Sequence, residues 1–225
     1  MRSKKYNEKL ALIDKTKEYK LSEAVALIKK TSVNTFDASI EIAIRLNVDT
    51  RKSDEQVRGV VVLPNGTGKT KKVLVIADSK YEKEAKDAGA DYFGGEDYIE
   101  KIVKEDFFDF DVIVASPEMM PKLGKAAKVL GPKGLMPNPK TGTVTTDIKR
   151  TVEDLKKGQV EYRADAGGIV HSSVGKVSFT DEALIENIKT YLDAVLKAKP
   201  AKVKGSYILS IYLSTSMGPS IKITY

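Results

Sequence analysis

A chain of 225 residues, 41% of them hydrophobic, can bury one large core or two modest ones. Its 38 Lys+Arg against 31 Asp+Glu leave a net charge of +7, which favours a polyanionic partner. The absence of cysteine and the presence of one histidine, His171, exclude disulfides, thiolate zinc sites and most catalytic triads.

Met1-Arg2-Ser3-Lys4-Lys5 leads into polar residues, so no signal peptide is expected. No apolar run approaches the roughly 18 residues of a membrane span, and no basic amphipathic stretch carries Trp or Phe on its apolar face. A soluble cytoplasmic protein without membrane partner, metal or cofactor is expected. Residues 3 to 18 mix basic and apolar positions. They read as a polar helix or arm, either a solvated terminus or a segment whose Lys4 and Lys5 lie on phosphate. Ser22 is expected to cap a helix through Lys30, with Glu23 in its first turn and two lysines in its last. Ile40, Ile42, Ile44 and Leu46 alternate with polar residues and define a strand with one buried face. Phe36 at its entry is either a core plug or an exposed ring on which a base stacks.

After the charged loop Asp49 to Asp54, Val57 to Leu63 returns as a strand. Pro64-Asn65-Gly66-Thr67-Gly68-Lys69-Thr70 ends like a phosphate-binding loop. That pattern needs a glycine where Leu63 stands, and a helix after it, whereas Val73 to Ala77 reads as a strand. From Val73 the apolar runs are continuous, the mark of strands buried on both faces. Ser79-Lys80-Tyr81-Glu82 reads as a capping box for a helix closed by Gly89. A short strand near Tyr92 and Phe93, a helix to Lys104 and a strand at 111–115 follow; Ser116-Pro117 supplies an N-cap with proline in the first turn. Leu130 to Val144 holds three prolines and three glycines and reads as a functional surface loop, with Lys133 and Lys140 available to phosphate.

A helix over 147–157 ends at Gly158. Val160 to Asp165 alternates again, Gly167-Gly168 turns the chain, Ile169 to Ser173 continues it, and Gly175-Lys176 precedes Val177-Ser178-Phe179. Thr180-Asp181-Glu182 opens an amphipathic helix stopped by Pro200. Tyr207, Leu209, Ile211 and Leu213 then alternate with Ile208, Ser210, Tyr212 and Ser214, and Ile221 and Ile223 form a second strand before Tyr225. The loop between them, Ser214 to Pro219, is either an ordinary hairpin turn or a docking surface. It offers hydroxyls at Ser214, Thr215 and Ser216, the thioether of Met217, and Gly218, where a sugar-phosphate chain would approach the backbone.

The economical architecture is an α+β domain, an antiparallel sheet with helices, made from residues 1–66 and 159–225. It carries an inserted three-layer, Rossmann-like α/β domain at 67–158. The two crossings, with Gly66, Gly68 and Gly158, would form a hinge.

In this order, Ile44-Arg45-Leu46-Asn47-Val48-Asp49, Val61 to Thr70, Leu130 to Val144, Gly168-Ile169-Val170-His171 with Val174-Gly175-Lys176, and Ser216-Met217-Gly218 carry a resemblance over essentially the whole chain. The chain resembles the family of the first protein of the large ribosomal subunit in its bacterial form, the stalk protein. The resemblance implies a non-enzymatic protein, monomeric when free, that binds a folded segment of large-subunit rRNA. It implies a mobile stalk beside the exit site that helps deacylated tRNA leave, and repression of its own operon mRNA. It places the RNA face on Phe36, Asp37, Arg163, His171, Lys176, Ser216, Met217 and Gly218, with secondary contacts from the inserted domain. Three positions depart from the family pattern: Thr35 and Ala166 stand where basic residues are common, and Ser216 stands for threonine. The rival readings are a nucleotide-dependent enzyme built on the Gly-Lys-Thr loop and a nonspecific basic binder.

Overall fold

The computed structural model describes residues 3–105 and 107–224, and the backbone but not the side chain of Ser53. Met1, Arg2 and Tyr225, which figured in the terminal readings, lie outside the described residues. In chain order the elements are α1 (Lys4–Leu10), α2 (Leu21–Lys30), β1 (Ser39–Leu46), β2 (Arg58–Val62), β3 (Val73–Ile76), α3 (Glu82–Asp87), β4 (Tyr92–Gly94), α4 (Glu96–Lys104), β5 (Val112–Ala115), α5 (Met120–Leu123), α6 (Ala127–Leu130), α7 (Ile148–Lys157), β6 (Gln159–Arg163), β7 (Ile169–Lys176), α8 (Asp181–Lys197), β8 (Ile208–Thr215) and β9 (Ile221–Ile223). By internal contact the chain divides into two units, Met1–Gly68 with Val160–Tyr225, and Lys69–Gln159.

The first unit is built on an antiparallel sheet in the order β7-β1-β8-β9. Period-two alternation sends Ile40, Ile42, Ile44 and Leu46 of β1 to one face, where they are buried. There they join Val170 and Val174 of β7, Ile211 and Leu213 of β8, and Ile221 and Ile223 of β9. The apolar stripes of α2 (Ala24, Val25, Ile28) and α8 (Leu184, Ile188, Tyr191, Leu192, Val195) belong to the same core. Each fully buried Ile or Leu contributes about 1.5–3 kcal/mol over its exposed state, so this shared face is what closes the discontinuous unit. β2 and β6 form a separate two-stranded sheet, and Val61 and Tyr162 add to the core. The other face of the four-stranded sheet, with Ser39, Glu41, Ala43 and Arg45 on β1, carries none of these buried residues.

Two β-bulges set the details. Ile40 pairs with Gly175 and Glu41 with Ser173, so Val174 is the extra residue of β7. On the other side Arg45 pairs with Ser210 and Leu46 with Ile208, so Leu209 is the extra residue of β8. Leu209 is accordingly 50% exposed. This corrects the uniform alternation expected from Tyr207 to Leu213: Tyr207, Ile211 and Leu213 are buried, and the bulge turns Leu209 out.

Tyr207 has a hydroxyl without a hydrogen-bond partner, and burial pushes its phenol up to about 12. Tyr207→Phe removes that stranded group and is expected to raise stability by about 1 kcal/mol, read as a higher urea midpoint. A loss of similar size would show the hydroxyl to be satisfied.

The second unit holds a parallel sheet in the order β4-β3-β5. Val73 and Val75 pack with Ala85 of α3 and with Ile148, Val152 and Leu155 of α7. Leu74 and Ile76 pack oppositely, with Ile99 and Ile102 of α4, Leu123 of α5 and Leu130 of α6. Helices therefore cover both faces of β3, which explains its unbroken apolar run.

Local chemistry departs from the sequence expectations at four places. Helix α2 starts at Leu21 from Lys20, with no side-chain cap, and Ser22 lies inside it. Ser79 belongs to a 3-10 turn, Ser79–Tyr81, that leads into α3, so it does not cap that helix. Ser116 does stand at an N-cap with Pro117 after it, but its hydroxyl is buried and unpartnered, and a 3-10 turn precedes α5. Strand β7 runs unbroken to Lys176 through its bulge, and Val177 to Phe179 turn away from it.

Candidate nucleic-acid interface

The antiparallel registers bring one end of the sheet together. The N-terminal end of β1 meets the C-terminal ends of β7 and β8: Ser39 pairs with Lys176, Ile40 with Thr215, and the Ser216 amide donates to the Ser39 carbonyl at 3.2 Å. Three residues before Ser39, Phe36 is 60% exposed, so it is no core plug. Ala38 is fully buried and holds the chain there. Across the end of the sheet, Met217 is 68% exposed.

Asp37, next to Phe36, is tied to the segment that follows β7. Its carboxylate accepts from the Ser178 amide at 3.0 Å and the Ser178 hydroxyl at 2.9 Å. Lys176 Nζ stands 3.7 Å away. Desolvation pulls the Asp37 carboxyl upward, but the Ser178 hydroxyl and amide, with Lys176, outweigh it and hold the group below the usual carboxylate range. Asp37 is thus an anion with one hydrogen bond from its own chain on each carboxylate oxygen. Ser178 escaped the sequence reading because a lone serine in a turn carries no signal.

The 215–218 turn corrects part of what was expected of it. Thr215 is 2% exposed and points into the protein, so it offers no hydroxyl to a ligand. Ser216 remains half-buried, its hydroxyl 3.5 Å from the Ser39 carbonyl. Gly218 donates its amide to the Thr215 carbonyl at 2.9 Å, and a Cβ there would collide with Thr215 Oγ1. This chain's own turn therefore already requires a glycine at this position.

His171 and Arg163 do not join this end. His171 pairs with Ala43 near the middle of β1, on the open face. A hollow of about 240 Å³ lies there, lined by Glu41, Ala43, His171, Ser173 and Ser214 among others. Glu41 belongs to the same outward set as Ala43 and Arg45. Arg163 ends β6 in the other sheet, next to the turn that starts β7. That turn is fastened by Asp165, whose Oδ1 accepts from the amides of Gly167 and Ile169 at 2.8 Å each. His171 Nε2 lies 3.6 Å from the same carboxylate.

The Ile169 amide, then the Gly167 amide and His171, hold the Asp165 carboxyl below its ordinary value of 3.8 against desolvation. A depressed folded-state value adds stability above the ordinary value, which is lost as pH falls through the lower one. Urea titrations taken down to about pH 3 are expected to show this loss, and Asp165→Asn to flatten it. A parent and variant with parallel acid profiles would refute the assignment.

Lys4 and Lys5 are exposed on α1, whose N-cap Ser3 accepts from the Tyr6 amide at 3.3 Å. Lys133 and Lys140 belong to the second unit. Lys133 Nζ sits 3.2 Å from the centre of the Phe108 ring, and Lys140 is exposed within a 3-10 turn capped by Asn138. The 130–144 loop is only partly a surface loop, because Pro137, Thr141 and Thr143 are buried and Val144 bridges to Ala115. After Gly68 the chain enters strand β3 without a helix, which removes the phosphate-loop context from Gly-Lys-Thr. Among the described residues no cluster of three or more His, Cys, Asp or Glu could hold a metal, and no helix is long and apolar enough to cross a membrane.

The fold and this surface define a mixed α/β binding protein with one discontinuous unit and an open polar sheet face. Residues 28–219 match the model of the ribosomal protein L1p/L10e family, and the chain belongs to that family. It is a structural constituent of the ribosome in the cytoplasm that binds large-subunit rRNA, and its family is one of structural RNA-binding proteins, not of enzymes.

Proposed function

We propose that the end of the four-stranded sheet is the principal docking face for a folded segment of large-subunit rRNA. The observation that carries this is the convergence of the exposed Phe36 and Met217 with Lys176, Asp37, Ser216 and Gly218. Folded RNA is read by shape, 2′-hydroxyls and phosphates, with stacking where a base is free. Phe36 supplies the ring, Lys176 the phosphate charge and Ser216 the hydroxyl. Asp37 and Gly218 shape the backbone that carries them. His171 and Arg163 are outlying contacts, along the open face and beyond its far end. Thr35 and Ala166 offer no charge, so binding leans on the lysines present.

The test is filter binding of an rRNA stalk fragment. Lys176→Ala is expected to weaken binding and to lower the salt slope by about one unit, the mark of a lost phosphate contact. An unchanged affinity and slope would remove the site. Lys4, Lys5, Lys133 and Lys140 are secondary contacts, and their alanine variants are expected to lose modest affinity with the same slope change of about one unit each. Unrelated duplex RNA at physiological salt should compete poorly, which separates this reading from nonspecific basic binding.

The finer function follows the family resemblance. The protein forms a mobile stalk beside the exit site, assists release of deacylated tRNA, represses its own operon mRNA through a similar RNA fold, and is monomeric when free. Helices on both faces of the parallel sheet support the reading of the second unit as a Rossmann-like insertion. Positive φ at Gly66, Gly68 and Gly158 supports the two crossings as tight turns on which a hinge can act. A translational reporter carrying the operon leader tests the repression: a Lys176→Ala chain that represses as well as the parent would separate that activity from the proposed face.

A further inference from the structure

Asn187 is a fully buried amide in α8's core stripe, and its hydrogen bonds reach far along the chain. Its Oδ1 accepts from the Asn65 amide at 3.1 Å. Its Nδ2 donates to the Gly66 carbonyl and to the Val174 carbonyl, each at 2.9 Å. One amide group therefore clasps two backbones that are far apart in sequence. One is the segment leaving β2 toward Gly68. The other is the bulge of β7, where Val174 has no partner residue on β1. The β7 backbone runs on to Lys176, and the other segment reaches Gly68, against which the Lys176 side chain packs. A Cβ on Gly68 would stand 3.1 Å from Lys176 Cγ and Cδ, so the lysine stem lies across that glycine. Two residues beyond Val174 the same lysine reaches Asp37.

We propose that Asn187 is a positioning residue for RNA binding: by fixing the Asn65–Gly66 segment and the Val174 bulge together, it seats Lys176 at the docking end of the sheet. This rests on the reading of Lys176 as an RNA contact. The physical reason is pre-organisation. A lysine carried on one clasped backbone with its stem against the other loses less freedom on meeting a phosphate than one on a loose strand end.

A double-mutant cycle on the full chain with an rRNA stalk fragment separates the two ideas. Asn187→Ser keeps a small polar group but cannot span both backbones. It is expected to weaken RNA binding about tenfold in the parent, and about threefold or less once Lys176→Ala is present, because the effect passes through the lysine. Ile188→Val, a core change beside it, is expected to lower stability while leaving affinity within about twofold. Equal losses from Asn187→Ser with and without Lys176, or no loss at all, would overturn the inference. If instead Lys176→Ala alone changes nothing, the docking reading itself is what fails. Should Asn187→Ser not fold, NMR on the unaltered chain decides. RNA is expected to shift the Asn187 side-chain amide resonances and slow exchange of the Asn65 amide. Resonances and exchange unmoved by saturating RNA would refute the proposal.

Discussion

Gly218→Ala is expected to cost about 1–3 kcal/mol of folding stability, the range for forcing a methyl into a filled space. The new Cβ would meet Thr215 Oγ1, and Thr215 is 2% exposed, so its side chain has little room to yield. The Thr31 carbonyl, at the end of α2, lies 3.5 Å from the same Cβ position and blocks retreat that way. RNA affinity should fall with stability, because the turn carries Met217 and follows Ser216. Pairing the change with Thr215→Ala removes the obstructing atom and is expected to recover most of both losses. Urea midpoints and filter binding on the single and double variants make the comparison. A Gly218→Ala protein as stable as the parent, yet defective with RNA, would restore the glycine to a direct role against the ligand.

Phe36→Ala is expected to weaken RNA binding by about 1–3 kcal/mol, the value of one base stacked on an aromatic ring. Folding stability should move by no more than about 0.5 kcal/mol, because the ring is 60% exposed. The neighbours explain why the ring stays outside. Ala38 is buried beneath the strand entry, and the Asp37 carboxylate is held by Ser178. Phe36→Leu keeps apolar area but offers no flat face, and is expected to behave like the alanine variant, whereas Phe36→Tyr should retain most affinity. If alanine binds within about twofold of the parent, the ring does not stack on a base.

Much of the scaffold is legible in the amino-acid sequence. Period-two alternation at Ile40 to Leu46 and the stripe of Leu184, Ile188, Tyr191 and Val195 follow directly from burying one face of a strand or a helix. Continuous apolar residues in β3 and β5 matched strands with helices on both faces. The failures share a cause. Leu209 and Val174 are bulge residues, and a bulge is settled by register against a neighbouring strand, not by local pattern. Ser22 and Ser79 are good caps by type, but the helical turns begin at Leu21 and at Ser79, so both serines lie inside them. Thr215 looked like a free hydroxyl, and pleat parity turned it inward.

The amino-acid order alone determined which segments alternate, which run apolar and which must turn, because those follow from backbone geometry and the cost of wetting apolar surface. It determined the family too, through motifs spread along the chain. Which of Phe36's two possible environments is real, that a side chain at 218 would meet Thr215, and that Asn187 clasps residues 65, 66 and 174 were decided only when strands distant in sequence paired. Contacts of that kind depend on register and packing across the sheet, and no local stretch of sequence contains them.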